Sequence, residues 1–293
     1  MKENSKNNKM KNATPVMRQF WKAKASHPNS IMLFRMGDFY ETFDNDAKLA
    51  SKILGITLTK RSNGAASSVP LAGFPYHSLD QHLYKFLKSG YRVAICEQVE
   101  DPKLSKGIVK REVVEVLSPG TAIAEKYLSH KENNFLCSIF IHQDNFGYAV
   151  LDYSTGEFSV GENKISELSN ILSQYNITEI ITPKNQLDQI NSRFTNNILI
   201  TEYHDWIADN TLCYDKLLGH FSTKSLKGFG LNINDLGVVA SGAALIYVEE
   251  NYFGKIKHIT SLSKITNDGS MCIDASTIKN LEIFESLSSK NNK

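Results

Sequence analysis

The sequence reads as α/β throughout: a mixed-sheet α/β domain, then a second α/β domain opening on an antiparallel meander. Three observations predict this. Between Thr14 and Leu117, segments with helical apolar spacing alternate with short apolar or β-branched runs. Ser118-Pro119-Gly120 is a breaker cluster that closes the pattern. Beyond it, strand-like runs follow one another with only turn residues between them, before helix and strand alternate again.

In the first domain, Pro15 sits in the first turn of a helix whose Val16, Met17, Phe20 and Trp21 recur at helical spacing, and His27-Pro28 stops it. Ile31 to Phe34 is a buried strand continuing toward Phe39. A second helix starts near Asp44, carries Ala47, Leu49, Ala50, Ile53 and Leu54, and ends at Gly55. Ile56 to Thr59 alternates as a strand. Lys60 to Ser68 has turn chemistry throughout and is expected to be a mobile loop tipped by Asn63-Gly64. Ser78 is the expected cap of a third helix with Leu79, Leu83, Phe86 and Leu87 inside and Gly90 at its end. Tyr91 to Glu97 and Glu112 to Leu117 complete the domain as strands.

In the second, Phe135 to Ile141, Phe146 to Tyr153 and Glu157 to Val160 are closely spaced strands, with Asp144-Asn145 and Thr155-Gly156 supplying hairpin turns. A helix over Ile165 to Tyr175, strands at Glu179 to Thr182 and Ile198 to Glu202, and helices at Asp215 to Phe221 and Asp235 to Tyr252 follow. A meander followed by alternating α and β is the element order of a ribonuclease H-like domain, an analogy of order alone.

At 293 residues the chain is long enough for two domains, and its 41% hydrophobic and 22% charged content is that of an ordinary globular protein. No run approaches the roughly 18 apolar residues of a membrane span. Cys96, Cys137, Cys213 and Cys272 lie far apart without a CxxC pair and read as reduced thiols, most of them buried. The net charge of +2 marks no general polyanion binder, but residues 1–61 hold twelve Lys/Arg against five Asp/Glu. A solvated face and a phosphate-facing surface both account for that excess.

Within this frame the run Phe34-Arg35-Met36-Gly37-Asp38-Phe39-Tyr40-Glu41 stands out. Residues two apart on an extended segment share a side, so Phe39 and Glu41 project together and Tyr40 away from them. A flat apolar ring beside a carboxylate suits a probe that enters a base stack and touches a base edge. Taken alone, it equally suits a strand end covered by packing.

Other chemistry finds less support. The chain has no GxxxxGK phosphate cradle, and Gly228-Phe229-Gly230 lacks a third glycine and a preceding strand. Its eight histidines are scattered, with no HExxH, and there is no GxSxG elbow. A metal-dependent nuclease, the enzymatic alternative for a ribonuclease H-like fold, needs converging carboxylates with one on the first strand. Phe135 to Ile141 carries none, and Asp152 and Glu157 merely flank a hairpin. No catalytic or metal-ligating residue is assigned.

Taken together, Thr14 to Phe20, Phe34 to Phe43, Leu58 to Arg61, Pro70 to His77, Val93 to Gln98, Ser118 to Thr121 and Ile273 to Ile283 resemble, in order, the N-terminal part of the MutS family of DNA mismatch repair proteins. The resemblance implies a disordered tail (1–13), a mismatch-binding domain (14–120), a linker (121–134), a ribonuclease H-like connector domain (135–268) and the start of a truncated core or lever domain (269–293). Family members continue into lever, clamp and ATPase domains. The sequence is therefore expected to be a fragment, a truncated gene product or a piece of a split protein, without ATPase activity of its own.

The resemblance also implies a function. Gly37 to Glu41 looks like the family's mismatch-reading motif, with Phe39 wedging into the duplex and Glu41 contacting a base edge. Lys60 and Arg61 are candidates for phosphate contacts, with Arg35, Lys106, Lys110 and Arg111 behind them. Expected partners are mispaired double-stranded DNA, a second MutS subunit and a MutL-type protein, with no membrane. ATP and Mg belong to full-length members, and the expected location is cytoplasmic and nucleoid-associated. A degenerate remnant that binds nothing is the non-enzymatic alternative.

Overall fold

The computed structural model describes residues 13–63, 66–100, 107–121, 134–194, 198–252 and 255–265, with Thr277 and Leu281. The expected tail through residue 12, Lys106, linker residues 122–133, Cys272 and nearly all of 269–293 lie outside the described residues. The chain divides into two compact units, Met1–His130 with Glu250–Lys255, and Lys131–Glu249 with Ile256–Lys293.

In the first unit, Pro15 opens α1 (Pro15–Ser26), which buries Met17 and Phe20. The ring of Phe20 meets Phe34 and Phe43 edge-on, with centroids 5.7 and 4.8 Å apart. Strands β1 (Ser30–Met36) and β2 (Phe39–Phe43) form an antiparallel hairpin with Met36 opposite Phe39. The sequence suggested one strand running on toward Phe39. The chain reverses instead, because Gly37 adopts φ +59°, a conformation that a side chain disfavours. Helix α2 (Asp44–Leu54) ends at Gly55, also left-handed.

The expected strand at Ile56–Thr59 is displaced. Pairing begins at Thr59 in β3 (Thr59–Asn63), and β4 (Ala66–Pro75) returns antiparallel to it. Of the segment Lys60–Ser68, expected as a mobile loop tipped by Asn63-Gly64, residues 60–63 and 66–68 are instead in paired strands, and Gly64 and Ala65 lie outside the described residues. β4 lies between β3 and β2 despite Pro70 and Pro75, residues that argue against an interior strand. In α3 (Leu79–Lys88), Ser78 makes no side-chain cap, contrary to expectation. β5 (Arg92–Gln98) runs parallel to β1, and β6 (Arg111–Leu117) runs antiparallel to β5. The sheet order is β3-β4-β2-β1-β5-β6.

This register sorts the side chains. Phe34 and Met36 share a face with Phe39, Glu41 and Phe43 of β2, Gly73 of β4 and Arg61 of β3. Helix α1 covers part of that face, where Met17, Phe20, Phe34, Phe43, Val69 and Cys96 form one core. Tyr40 and Phe74 point to the other face, and Phe74 stacks 4.3 Å from His82 of α3.

In the second unit, β7 (Phe135–His142), β8 (Asn145–Asp152) and β9 (Glu157–Lys164) form the antiparallel meander. β10 (Ile177–Pro183) adds parallel to β7, and β11 (Leu199–Tyr203) parallel to β10. With β12 (Ser263–Lys264) beside β9, the order is β11-β10-β7-β8-β9-β12, the ribonuclease H-like arrangement. The expected helix over Ile165–Tyr175 contracts to a 3₁₀ turn and α4 (Leu168–Leu172), and α5 (Leu187–Asn191) was not foreseen. Both pack on the face that buries Cys137, Ile139, Tyr148 and Ile180.

Helix α6 (Asn210–Phe221) starts earlier than expected, because the Asp209 side chain caps it by accepting from Leu212 N–H at 2.8 Å. Helix α7 (Leu236–Asn251) is apolar nearly all round, as a helix buried in a core must be. Among the described residues, no helix is long and apolar enough to cross a membrane.

Candidate nucleic-acid interface

The two-residue turn Gly37-Asp38 places Phe39 at the first position of β2, opposite Met36 on one side and Pro75 on the other. Its side chain is 47% exposed, whereas the aromatic rings on the opposite strand face are buried. An exposed phenylalanine loses the burial that normally stabilises one, so its position marks a contact surface or a tolerated cost.

Glu41 lies on the same face, two residues along. Its carboxylate accepts from Arg61 Nη1 at 2.5 Å, and the two side chains are 19% and 33% exposed. Since β4 separates β2 from β3, this pair spans an intervening strand. Gly73 stands opposite Glu41, where a Cβ would come 3.0 Å from the Tyr40 carbonyl oxygen and make ordinary contact, at 3.4 Å, with Glu41 Cγ. Burial raises the Glu41 pKa above the ordinary carboxylate value, while the Arg61 and Arg111 charges pull it back.

Tyr40 turns inward, as the alternation predicts, and its hydroxyl donates to Glu97. Burial, followed by the Glu97 contact, pushes its phenol pKa well up. Gly73 and the Glu41–Arg61 pairing are what the sequence reading missed. Gly73 lies inside the Pro70–His77 block, and only the strand register reveals what it faces.

The basic candidates separate. Lys60 and Arg61, read together as neighbours on a loop, point to opposite faces of β3. Lys60 is exposed, while Arg61 is occupied by Glu41. Arg35 lies on the Tyr40 face, with its guanidinium 4.0 Å over the Tyr76 ring and its Nε donating to the Gly37 carbonyl at 2.5 Å. Arg111 donates from Nε to the Arg35 carbonyl at 2.6 Å and from Nη1 to the Val109 carbonyl at 2.8 Å, so its donors brace the hairpin. Lys110 is solvent-exposed and pairs with Glu112 at 2.7 Å. Lys106 is outside the described residues.

In the second unit Asp152, one of the two carboxylates of the nuclease alternative, holds a turn, and Glu179, which that alternative did not include, is buried in hydrogen bonds. Asp152 Oδ1 accepts from Ser154 N–H at 2.8 Å and Ser154 Oγ at 2.6 Å, closing the turn before Glu157. Glu179, fully buried, accepts from the Thr201 hydroxyl at 2.8 Å and the Tyr247 hydroxyl at 2.5 Å. Among the described residues, no three His, Cys, Asp or Glu converge as a metal site.

Comparison with known proteins adds a second line. Residues 14–126 match the family model described as MutS domain I, and residues 134–260 match MutS domain II. The DNA mismatch repair protein MutS of Phocaeicola vulgatus is 46% identical over 274 residues, covering 94% of this chain and 32% of that protein. MutS of Salinibacter ruber is 45% identical over 280 residues (94% and 31%), and that of Parabacteroides distasonis 44% over 270 residues (92% and 31%). The chain therefore spans about a third of the length of these curated relatives.

Proposed function

The chain belongs to the MutS family, carrying its domains I and II, and on that premise we propose that it recognises mispaired double-stranded DNA. Residues 14–120 form the mismatch-binding domain in this reading and 135–268 the connector. The observation that carries it is Phe39, held out at the end of a hairpin with Glu41 on the same face. A mispair is weakly stacked, so opening a gap beside it costs less than in matched duplex. Phe39 enters that gap from the minor groove and stacks on a mispaired base, kinking the duplex. Stacking ignores base identity, so the preference comes from the lower cost of deforming a mispaired site.

Glu41 opposes binding to an ordinary polyanion and contacts the displaced base edge at a mispair, as acceptor or, once protonated, as donor. Burial, which raises its pKa, favours the second form. Preference for a G·T duplex should accordingly grow as pH falls from neutrality toward the carboxylate range, and Glu41→Gln should flatten that dependence. Equal pH profiles for the two proteins would remove the protonated form from the mechanism.

The same shift fixes a stability effect. A raised folded pKa contributes stability that is full below the unfolded value, near 4.5, and lost as pH rises through the folded one. Denaturation at pH 7 should thus favour Glu41→Gln over the parent, and at pH 4 the advantage should vanish.

Lys60, exposed on the edge strand, is the proposed phosphate contact. Lys60→Ala should weaken matched and mismatched duplexes alike and lower the salt slope by about one. Arg35 and Arg111 shape the hairpin that carries Phe39.

By family resemblance, the partners are a second MutS subunit and a MutL-type protein, reached through the connector, with the complex nucleoid-associated in the cytoplasm. ATP and Mg serve the family's ATPase domain, and we assign no ATPase activity to the matched residues. The deciding experiment titrates labelled matched and G·T duplexes with this chain in the presence of Mg²⁺, following both binding and strand integrity. A mismatch preference supports the reading, equal or absent binding overturns it, and cleavage would restore the nuclease.

A further inference from the structure

Arg61 and Glu41 are separated by the whole width of β4, yet their side chains meet at 2.5 Å. A pair reaching across an intervening strand is not a by-product of neighbouring positions. On β4, Gly73 stands opposite Glu41, where an added Cβ would come 3.0 Å from the Tyr40 carbonyl oxygen and make an ordinary 3.4 Å contact with Glu41 Cγ. We infer that Arg61 is a positioning residue that keeps the Glu41 carboxylate engaged across β4 until a mispaired base edge displaces it, and so sets how sharply mismatched duplex is told from matched. This rests on the reading of Glu41 as the base-edge contact.

The physical basis is competition for one carboxylate. Paired with Arg61, Glu41 presents a neutral couple to the duplex, and its repulsion of phosphates is muted. A matched duplex offers Glu41 no new partner, so the couple stays closed. A mispair exposes a base edge at the place Phe39 opens, and that edge can replace the guanidinium. The groups facing Glu41 are Arg61 from β3 and, at longer range, Arg111 from β6, while β1 and β4 contribute Phe34 and Gly73. With Arg61 gone, only the more distant Arg111 charge would offset the buried carboxylate.

This role differs from an ordinary phosphate contact in what it couples to. Arg61→Gln should weaken matched binding more than G·T binding, raising the mismatch-to-matched affinity ratio by about fivefold, the upper end of what a partly exposed ion pair contributes. In a Glu41→Gln background the same substitution should leave the ratio unchanged, and Arg61→Lys should restore most of the parental ratio.

Carboxyl-carbon NMR of the DNA-free chain gives a readout independent of binding, since the Glu41 titration should move upward in Arg61→Gln. Equal losses on both duplexes, repeated in the Glu41→Gln background, would make Arg61 a phosphate contact and overturn the inference alone. An unmoved Glu41 titration would overturn it as well. A parent chain without mismatch preference would defeat the proposed function first, and this inference with it.

Discussion

Phe39→Ala is expected to lower affinity for a G·T duplex by roughly one to two orders of magnitude, the value of one aromatic–base stack, with matched duplex nearly unaffected. The asymmetry follows from where the ring sits. At 47% exposure Phe39 contributes little to the core, so its removal should change unfolding free energy by less than about 0.5 kcal/mol. Its stacking energy is realised only where the duplex opens, and matched DNA opens rarely. Fluorescence anisotropy on the two duplexes, beside a denaturant melt of each protein, separates the terms. An equal loss on both would mean that the ring grips any duplex, and no loss on either would return Phe39 to surface packing. Phe39→Tyr or Phe39→Trp should retain the preference, because each keeps a stacking face.

The largest expected effect on stability lies in the second unit, at Gly147. A Cβ there would stand 2.2 Å from both the carbonyl carbon and oxygen of Leu236 and 2.5 Å from Gly237 N. These are backbone atoms at the start of α7, and no rotamer change can clear them. Gly147→Ala should therefore lift the start of α7 off β8, at about 2–4 kcal/mol. The displacement also strains the bond from Leu236 N–H to Glu162 Oε2, now 2.9 Å. Gly219→Ala is the control, since its Cβ would meet nothing within 4 Å and lies within α6, where alanine should add roughly 0.5–1 kcal/mol. Urea denaturation of the two variants should shift in opposite directions. A mild effect at Gly147 would show that this approach is looser than its distances imply.

How much of this was legible in the sequence depended on what each feature needed. Helix α1 and the meander β7–β9 show in local pattern, because Met17 and Phe20 keep helical spacing and turn residues punctuate the strands. β4 did not show, because Pro70, Gly73 and Pro75 read as breakers while its partners β2 and β3 come from outside the segment. Helix α5, one turn and a little more, is too short for a period to declare itself. At the site, Phe39 and Glu41 were legible as two residues on one side of a strand. The Arg61 partner was not, since its reach to Glu41 on a shared face exists only once β4 has been laid between them.

The mounting of Phe39 has one more consequence. Its backbone is gripped by β1 through Met36 and lies against β4 at Pro75, and the Tyr76 N–H closes onto the Asp38 carbonyl at 2.9 Å behind it. A ring anchored from both flanks behaves as a fixed stylus. In the proposed reading, differences among DNA sites would register as how far each one yields to the same tip, a gauge of local duplex softness.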